Sequence, residues 1–217
     1  MADINLLDTL PQTKRNLAAR AEQKTDADRE IAKRFDRNFF DGERKHGYGG
    51  YRYDGRWLPV ARRMVDHYHL PSNARILDVG CAKGFLMSDF KQVLSEATVR
   101  GLDVSVYAKE NAHDGMGEFI DIGSAENLPY ADNSFDLVVS INSIHNLPLE
   151  KCKQSLREIE RVSRGHAYIT VDAWNTEEEH QRLLDWILTA ETYMSVSDWH
   201  ALFAEVGYTG DSGWFMA

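Results

Sequence analysis

Asp78, Gly80, Ala82 and Gly84 stand at alternate positions just after the apolar run Ile76-Leu77. Glycine is required where backbone approaches a ligand closely or takes a positive φ. A strand ending in Asp78-Val79-Gly80 and turning through Cys81-Ala82-Lys83-Gly84 into a helix therefore reads as a tight nucleotide-binding turn. Two familiar loops fit poorly. The dinucleotide loop needs G-x-G-x-x-G, and here Ala82 lies between the glycines and Phe85 follows them. The phosphate loop needs Gly-Lys-Ser/Thr, and here Lys83-Gly84 has the reverse order. Asp103, about twenty residues further on, has the position from which a carboxylate accepts both hydroxyls of a ribose. Its alternative role is to cap the helix that begins near Ser105.

A second group of candidates follows a long apolar run. Residues 142–147 read Asn-Ser-Ile-His-Asn-Leu. His145 is the candidate general base, because imidazole titrates near physiological pH. The alternative is that His145 and Asn146 only hold the turn before Pro148. Asp172 could serve at the same edge or cap a turn. Upstream, Tyr48, Tyr51, Tyr53 and Trp57 are interleaved with glycines, beside Arg44, Lys45, Arg52 and Arg56. Aromatic faces attract cations and pack on rings, and arginine grips carboxylates and phosphates bidentately. The remaining histidines and the two cysteines, Cys81 and Cys152, show no metal-ligand spacing, so no metal is expected.

These residues need a scaffold, and the pattern supplies one. Strands are expected at 75–79, 98–103, 118–122, 135–141 and 167–171, with a further strand at 213–216 closing the chain. Helices are expected at 60–68, 85–94, 149–162, 176–189 and 196–206. Ser105 caps a helix, Gly165 ends the helix at 149–162, Ser197 or Asp198 opens the last helix, and Gly207 ends it. Residues 1–41 read as polar and helical, with Leu17, Ile31 and Phe35 as apolar anchors, and 42–58 as a loop. Strand-helix alternation at this spacing predicts an α/β, Rossmann-like, mostly parallel doubly wound sheet with helices on both faces. Two parts are expected: residues 1–70 as a helical extension with a Gly/Tyr-rich lid, and 71–217 as the core.

Composition narrows the classes. The net charge of −9 argues against a protein that binds nucleic acid through an overall basic surface. The charge is uneven: residues 42–63 carry +4 and residues 64–217 carry −13. Two cysteines are too few for a disulfide framework, and no apolar run suggests a leader or a bilayer span. A cytoplasmic protein without membrane or nucleic-acid partners is expected. The oligomeric state is not legible.

The loop resembles the first motif of class I S-adenosylmethionine-dependent methyltransferases, Asp/Glu-x-Gly-x-Gly-x-Gly, in a variant with Ala82 at the middle glycine. Residues 123–136, Gly-Ser-Ala-Glu-Asn-Leu-Pro-Tyr-Ala-Asp-Asn-Ser-Phe-Asp, resemble the family's Gly-Asp-Ala-x-x-Leu-Pro-Phe…Ser-Phe-Asp segment in order and spacing. The resemblance implies S-adenosylmethionine as cofactor and S-adenosylhomocysteine as product. It implies that Gly80, Ala82 and Gly84 wrap the amino-acid end, with Asp78 near the ammonium. Asp103 would bind the ribose. Ser124 and Ala125 would pack the adenine, Ser124 replacing the family's aspartate, and Ser140 joins the cofactor set. Asn142 and His145 would stand beside the methyl group as catalytic candidates. Tyr48, Tyr51, Arg52, Tyr53, Arg56 and Trp57 would form a substrate lid. The expected activity is methylation of a small, anionic acceptor at oxygen or nitrogen, a sugar or sugar phosphate being one example. The alternatives are a protein or RNA methyltransferase, and a cofactor-holding regulatory module without catalysis.

Overall fold

The computed structural model describes residues 2–11 and 24–217. Its centre is a parallel sheet of β1 (Arg75–Val79), β2 (Thr98–Asp103), β3 (Ile120–Ile122), β4 (Phe135–Ile141) and β5 (Ser163–Trp174). The order is β3-β2-β1-β4-β5, and both β6 (Met194–Ser195) and β7 (Asp211–Phe215) pair with β5. All of these pairings are parallel, including Ile76 with Val99 on one side of β1 and with Leu137 on the other. This is the Rossmann-like arrangement expected.

The described helices are α1 (Asp26–Ala32), α2 (Arg37–Asp41), α3 (Leu58–His67), α4 (Phe85–Val93), α5 (Val106–Glu110), α6 (Leu149–Val162), α7 (Glu177–Trp186) and α8 (Val196–Val206). Alternation along the central strands explains the layers. Leu77, Val79 and Val138 pack with Leu156 and Ile159 of α6 and Trp199 and Phe203 of α8. Ile76, Leu137 and Val139 pack instead with Met64 of α3 and Leu86 and Phe90 of α4. Both faces of β1 and β4 are thus covered, which is why these strands are nearly continuous apolar runs.

The chain moves outward from β1 to β2 and β3, then returns to the far side of β1 as β4. Neighbouring connections therefore diverge between the carboxyl ends of β1 and β4 and leave a crevice there. Asp78 and Asn142 lie on its two sides.

Four local expectations are corrected. Residues 2–4 are not helical: they run beside β7, with Ile4 N donating to Ser212 O at 2.8 Å and Ser212 N to Ala2 O at 3.0 Å. Leu6 then enters the core at 1% exposure, and the burial outweighs the polar pattern around it. Among the described residues before 41, helix appears as α1 and α2, and the expected anchor Leu17 lies outside the described residues. Gly165 does not end α6. Ser163 turns extended directly after Val162 and pairs with Phe135, so β5 begins without a loop. Ser195, rather than Ser197 or Asp198, caps α8, accepting from Asp198 N at 3.1 Å. The helix expected at 176–189 stops at Trp186, where Ile187 leaves helical geometry (φ −56°, ψ 141°). Among the described residues no helix is long and apolar enough to cross a membrane.

Candidate active site at the carboxyl edge

The loop after β1 is shaped by three left-handed residues: Gly80 (φ 81°), Ala82 (φ 50°) and Gly84 (φ 72°). A Cβ on Gly80 would stand 1.9 Å from Ser143 Oγ, so this glycine is required by contact as well as by angle. Ala82 carries a side chain in a conformation that disfavours one. The carboxylate of Asp103 holds the turn, accepting from Ala82 N at 2.7 Å and from Ser105 N at 2.8 Å. The helix cap itself is Ser105, whose Oγ accepts from Ala108 N at 3.0 Å. Burial raises the pKa of Asp103, and the backbone amides oppose that rise.

Asp78 is 4% exposed, and no side-chain hydrogen bond to it is formed among the described residues. Burial, with the neighbouring Asp103 charge adding to it, pushes its pKa up to about 7. A buried carboxylate of this kind lacks a cation. The ammonium of S-adenosylmethionine is of the right sign to pair with it, although Asp78 itself lies behind Gly80 and lines neither of the cavities described below. In charge, the residues present fit the amino-acid end of the cofactor.

The turn is roofed by the amino-terminal segment. Lys83, 7% exposed, donates to Asp41 Oδ2 at 2.6 Å and to Tyr51 O at 3.1 Å. Asp41 also accepts from Tyr107 OH at 2.8 Å and from Tyr51 N at 3.0 Å. Burial works against the ionised Asp41, but the Lys83 and Tyr107 bonds outweigh it and its pKa falls. Tyr51 stacks on Phe85 with centroids 4.5 Å apart and meets Tyr48 in a tilted contact at 4.2 Å.

Two adjoining cavities lie beneath this roof. The first, of about 160 Å³, is lined by Gly80, Ala82, Asp103, Ser124 and Ala125 from below and by Phe35, Phe39, Phe40 and Tyr48 from above. The second, of about 230 Å³, is lined by Arg44, His145, Asp172, Trp186 and Phe215. Phe39, Tyr48, Asn142 and Asn146 line both. The segment carrying Ser124 and Ala125 is pinned from α6. Arg161 donates to Leu128 O at 3.0 Å and to Tyr130 O at 2.8 Å, and Glu158 accepts from Leu128 N at 2.9 Å.

His145 is buried, and its Nδ1 accepts from Asp172 N at 3.1 Å. Burial lowers its pKa, against the opposing pull of Asp172. The neutral ring therefore carries its proton on Nε2, which lies 3.7 Å from Asp172 Oδ2. In this arrangement His145 is a hydrogen-bond donor, with no lone pair left to act as a base. Asn142 takes φ 50°, and its Oδ1 accepts from Thr170 Oγ1 at 2.9 Å.

The sequence candidates thus separate. Gly80, Ala82, Asp103, Ser124, Ala125, Asn142, His145 and Tyr48 converge on the two cavities. Ser140 is fully buried in β4, its hydroxyl donating to Val79 O at 3.0 Å, and it lines neither. Tyr53 donates to Asp89 Oδ1 at 2.6 Å and stacks on His113, Arg56 pairs with Asp54, and Trp57 packs beside the α3–α4 core. Arg52 is exposed. None of these four lines either cavity. The roofing rings Phe39 and Phe40 were missed by the sequence reading, although an aromatic doublet just before the Gly/Tyr stretch was a usable signal. Trp186 and Phe215 had no local signal, because only the pairing of β7 with β5 brings the chain end to this edge.

Comparison with known proteins agrees with this geometry. Residues 77–171 match the family described as a methyltransferase domain. A tRNA (carboxymethyluridine(34)-5-O)-methyltransferase of Arabidopsis thaliana is 27% identical over 172 residues, 78% of this chain and 40% of that protein. Demethylmenaquinone methyltransferase of Lactiplantibacillus plantarum is 35% identical over 114 residues, 49% of this chain and 47% of that protein. The chain thus spans under half the length of either curated relative. Among solved structures, the complex between the Trm112 methyltransferase activator of Haloferax volcanii and a methyltransferase matches with TM-score 0.57 at 18% identity, covering 90% of this chain and 77% of that one. A SAM-dependent methyltransferase from Aquifex aeolicus matches with TM-score 0.51 at 13% identity, covering 89% of each chain. The expectation that nucleic acid plays no part finds no support here, since one relative is named for tRNA. Residues 77–171 thus match a methyltransferase domain, and the fold around them is similar to that of class I, S-adenosylmethionine-dependent methyltransferases.

Proposed function

We propose that the protein methylates a small, anionic acceptor, at oxygen or nitrogen, with S-adenosylmethionine as donor. The observation that carries this reading is the second cavity: it adjoins the cofactor cavity, holds about 230 Å³, and has Arg44 on its wall. Lys45 is turned to Asp28 and Arg56 to Asp54, whereas Arg44, whose Nη1 donates to Gly47 O, lines this cavity together with Asp172. Trp186, Phe215 and Phe39 supply flat apolar walls. The acidic body favours a small acceptor over RNA, because nucleic-acid binding draws on many phosphate contacts.

When bound, the donor supplies a methyl carbon already activated by a sulfonium. Its transfer forms a new bond to the acceptor as the carbon–sulfur bond breaks, leaving S-adenosylhomocysteine and a proton. The protein's task is chiefly to hold the partners in line. In this reading the Asp78 carboxylate binds the ammonium, the loop through Gly80, Ala82 and Gly84 wraps the amino-acid end, and Asp103 binds the ribose. Ser124 and Ala125 pack the adenine. Tyr48 and Tyr51 close the site, and Asn142 and His145 shape the passage to the acceptor, His145 as a donor through Nε2.

The test is transfer of label from [methyl-³H]S-adenosylmethionine into fractions of a cell extract. Label in the small-molecule fraction is the expected result. Label confined to tRNA or protein would contradict the acceptor class, and label in no fraction would contradict methyl transfer itself.

A further inference from the structure

We infer that Asn146 orients the methyl acceptor, and that the methylated atom carries a hydrogen, as a hydroxyl or an amine. The inference rests on the methyl-transfer reading above. Asn146 is one of four residues that line both cavities, so it stands where methyl donor and acceptor must meet. Two of the others, Phe39 and Tyr48, present rings, and the Oδ1 of Asn142 is already engaged by Thr170. Asn146 differs. Its Nδ2 donates to Asn142 O at 3.3 Å, which fixes the end of the amide that is oxygen. The remaining atom, Oδ1, is buried and has no hydrogen-bond partner among the described residues. A buried acceptor left unpaired is unfavourable, and a ligand that brings a donor supplies the missing bond.

An amide oxygen accepts a hydrogen bond and takes up no proton near neutral pH. It therefore aims its partner without activating it. An acceptor X–H that donates to Asn146 Oδ1 has its hydrogen held by the amide, which leaves a lone pair on X for the methyl carbon. As the X–C bond forms, the carbon–sulfur pair goes to sulfur and the X–H proton is released to water. A carboxylate has no hydrogen to offer, and its lone pairs would face those of Oδ1. His145 adds to the selection, because its Nδ1 is held by the Asp172 amide and its neutral ring offers only Nε2–H. Asn146 thus offers an acceptor and His145 a donor, beside the Asp172 carboxylate on the same wall, a set that suits an amine or hydroxyl.

The experiment uses the full chain, [methyl-³H]S-adenosylmethionine and a deproteinised, RNase-treated cell extract. The product is treated with mild base, which releases methanol from methyl esters and leaves ethers and methylamines intact. Base-stable label is expected. Asn146→Ala should lower the initial rate by at least about tenfold while leaving S-adenosylhomocysteine affinity within about twofold, which also shows that the variant is folded. Asn146→Asp keeps the acceptor oxygen and loses the Nδ2 bond, so it should retain more activity than Asn146→Ala. Base-labile label, unchanged rates in Asn146→Ala, or Asn146→Asp falling to or below Asn146→Ala would each overturn the role of Asn146 while leaving methyl transfer intact. No label from the wild-type protein would remove the transfer reading and this inference together.

Discussion

Lys83 Nζ lies 2.6 Å from Asp41 Oδ2, joining the turn after β1 to the segment that roofs it. The lysine is almost fully buried, and its carboxylate partner is about a quarter exposed (side chains 9% and 24%). Removing one member leaves the other charged in a partly desolvated place. Asp41→Asn should cost about 2–3 kcal/mol in urea unfolding, and trypsin should cut faster within 42–57. An unchanged proteolysis pattern would mean that the roof is held by its aromatic stacks alone.

Asp78 makes a pH prediction. Its folded pKa of about 7 lies above the unfolded value of 3.8, so the folded state holds the proton more tightly. Without cofactor, this group's contribution to stability is full below about pH 4 and is lost as pH rises to about 7, a change on the order of 4 kcal/mol. Binding of an ammonium selects the ionised form. Affinity for S-adenosylhomocysteine should therefore rise between about pH 6 and 8, by up to tenfold per unit on the acid side. Titration calorimetry across that range checks it, and Asp78→Asn should flatten the profile and weaken binding.

Ala82 holds φ 50° with a side chain attached. Ala82→Gly relieves that strain while adding freedom to the unfolded chain, and the two effects partly cancel. Thermal unfolding should show a net gain of no more than about 1 kcal/mol. A loss larger than that would place the Ala82 methyl in useful packing.

Gly80 gives the opposite result. In Gly80→Ala the new methyl would meet Ser143 Oγ and Cβ, at 1.9 and 2.3 Å, and push the turn away from residues 142–146. Affinity for S-adenosylhomocysteine should fall by more than about tenfold, the effect expected when a close backbone approach is blocked. Retained affinity would show that the turn can shift at little cost.

The parts of the fold read best from sequence are those whose signals are local. β1, β2 and β4 have the expected bounds because apolar runs buried on both faces begin and end sharply. The glycine turn was legible because its backbone angles restrict residue type directly. The amino-terminal residues were misread because Leu6 is held by a core assembled from distant strands, and Gly165 because pairing of Ser163 with Phe135 outweighed a local stop signal. Within the site, the loop after β1 could be anticipated. The second cavity could not, since its walls come from α7, the end of β7 and the turn at Arg44, which are brought together only by topology.

The most direct test is titration of the purified chain with S-adenosylmethionine and S-adenosylhomocysteine, beside Asp103→Ala. Binding of both by the wild-type protein is predicted, weakened by at least about tenfold in the variant, because Asp103 holds the turn and lines the first cavity, where the proposed function puts the ribose. If neither compound binds the wild-type protein, the assignment of this crevice as a methyl-donor site is contradicted.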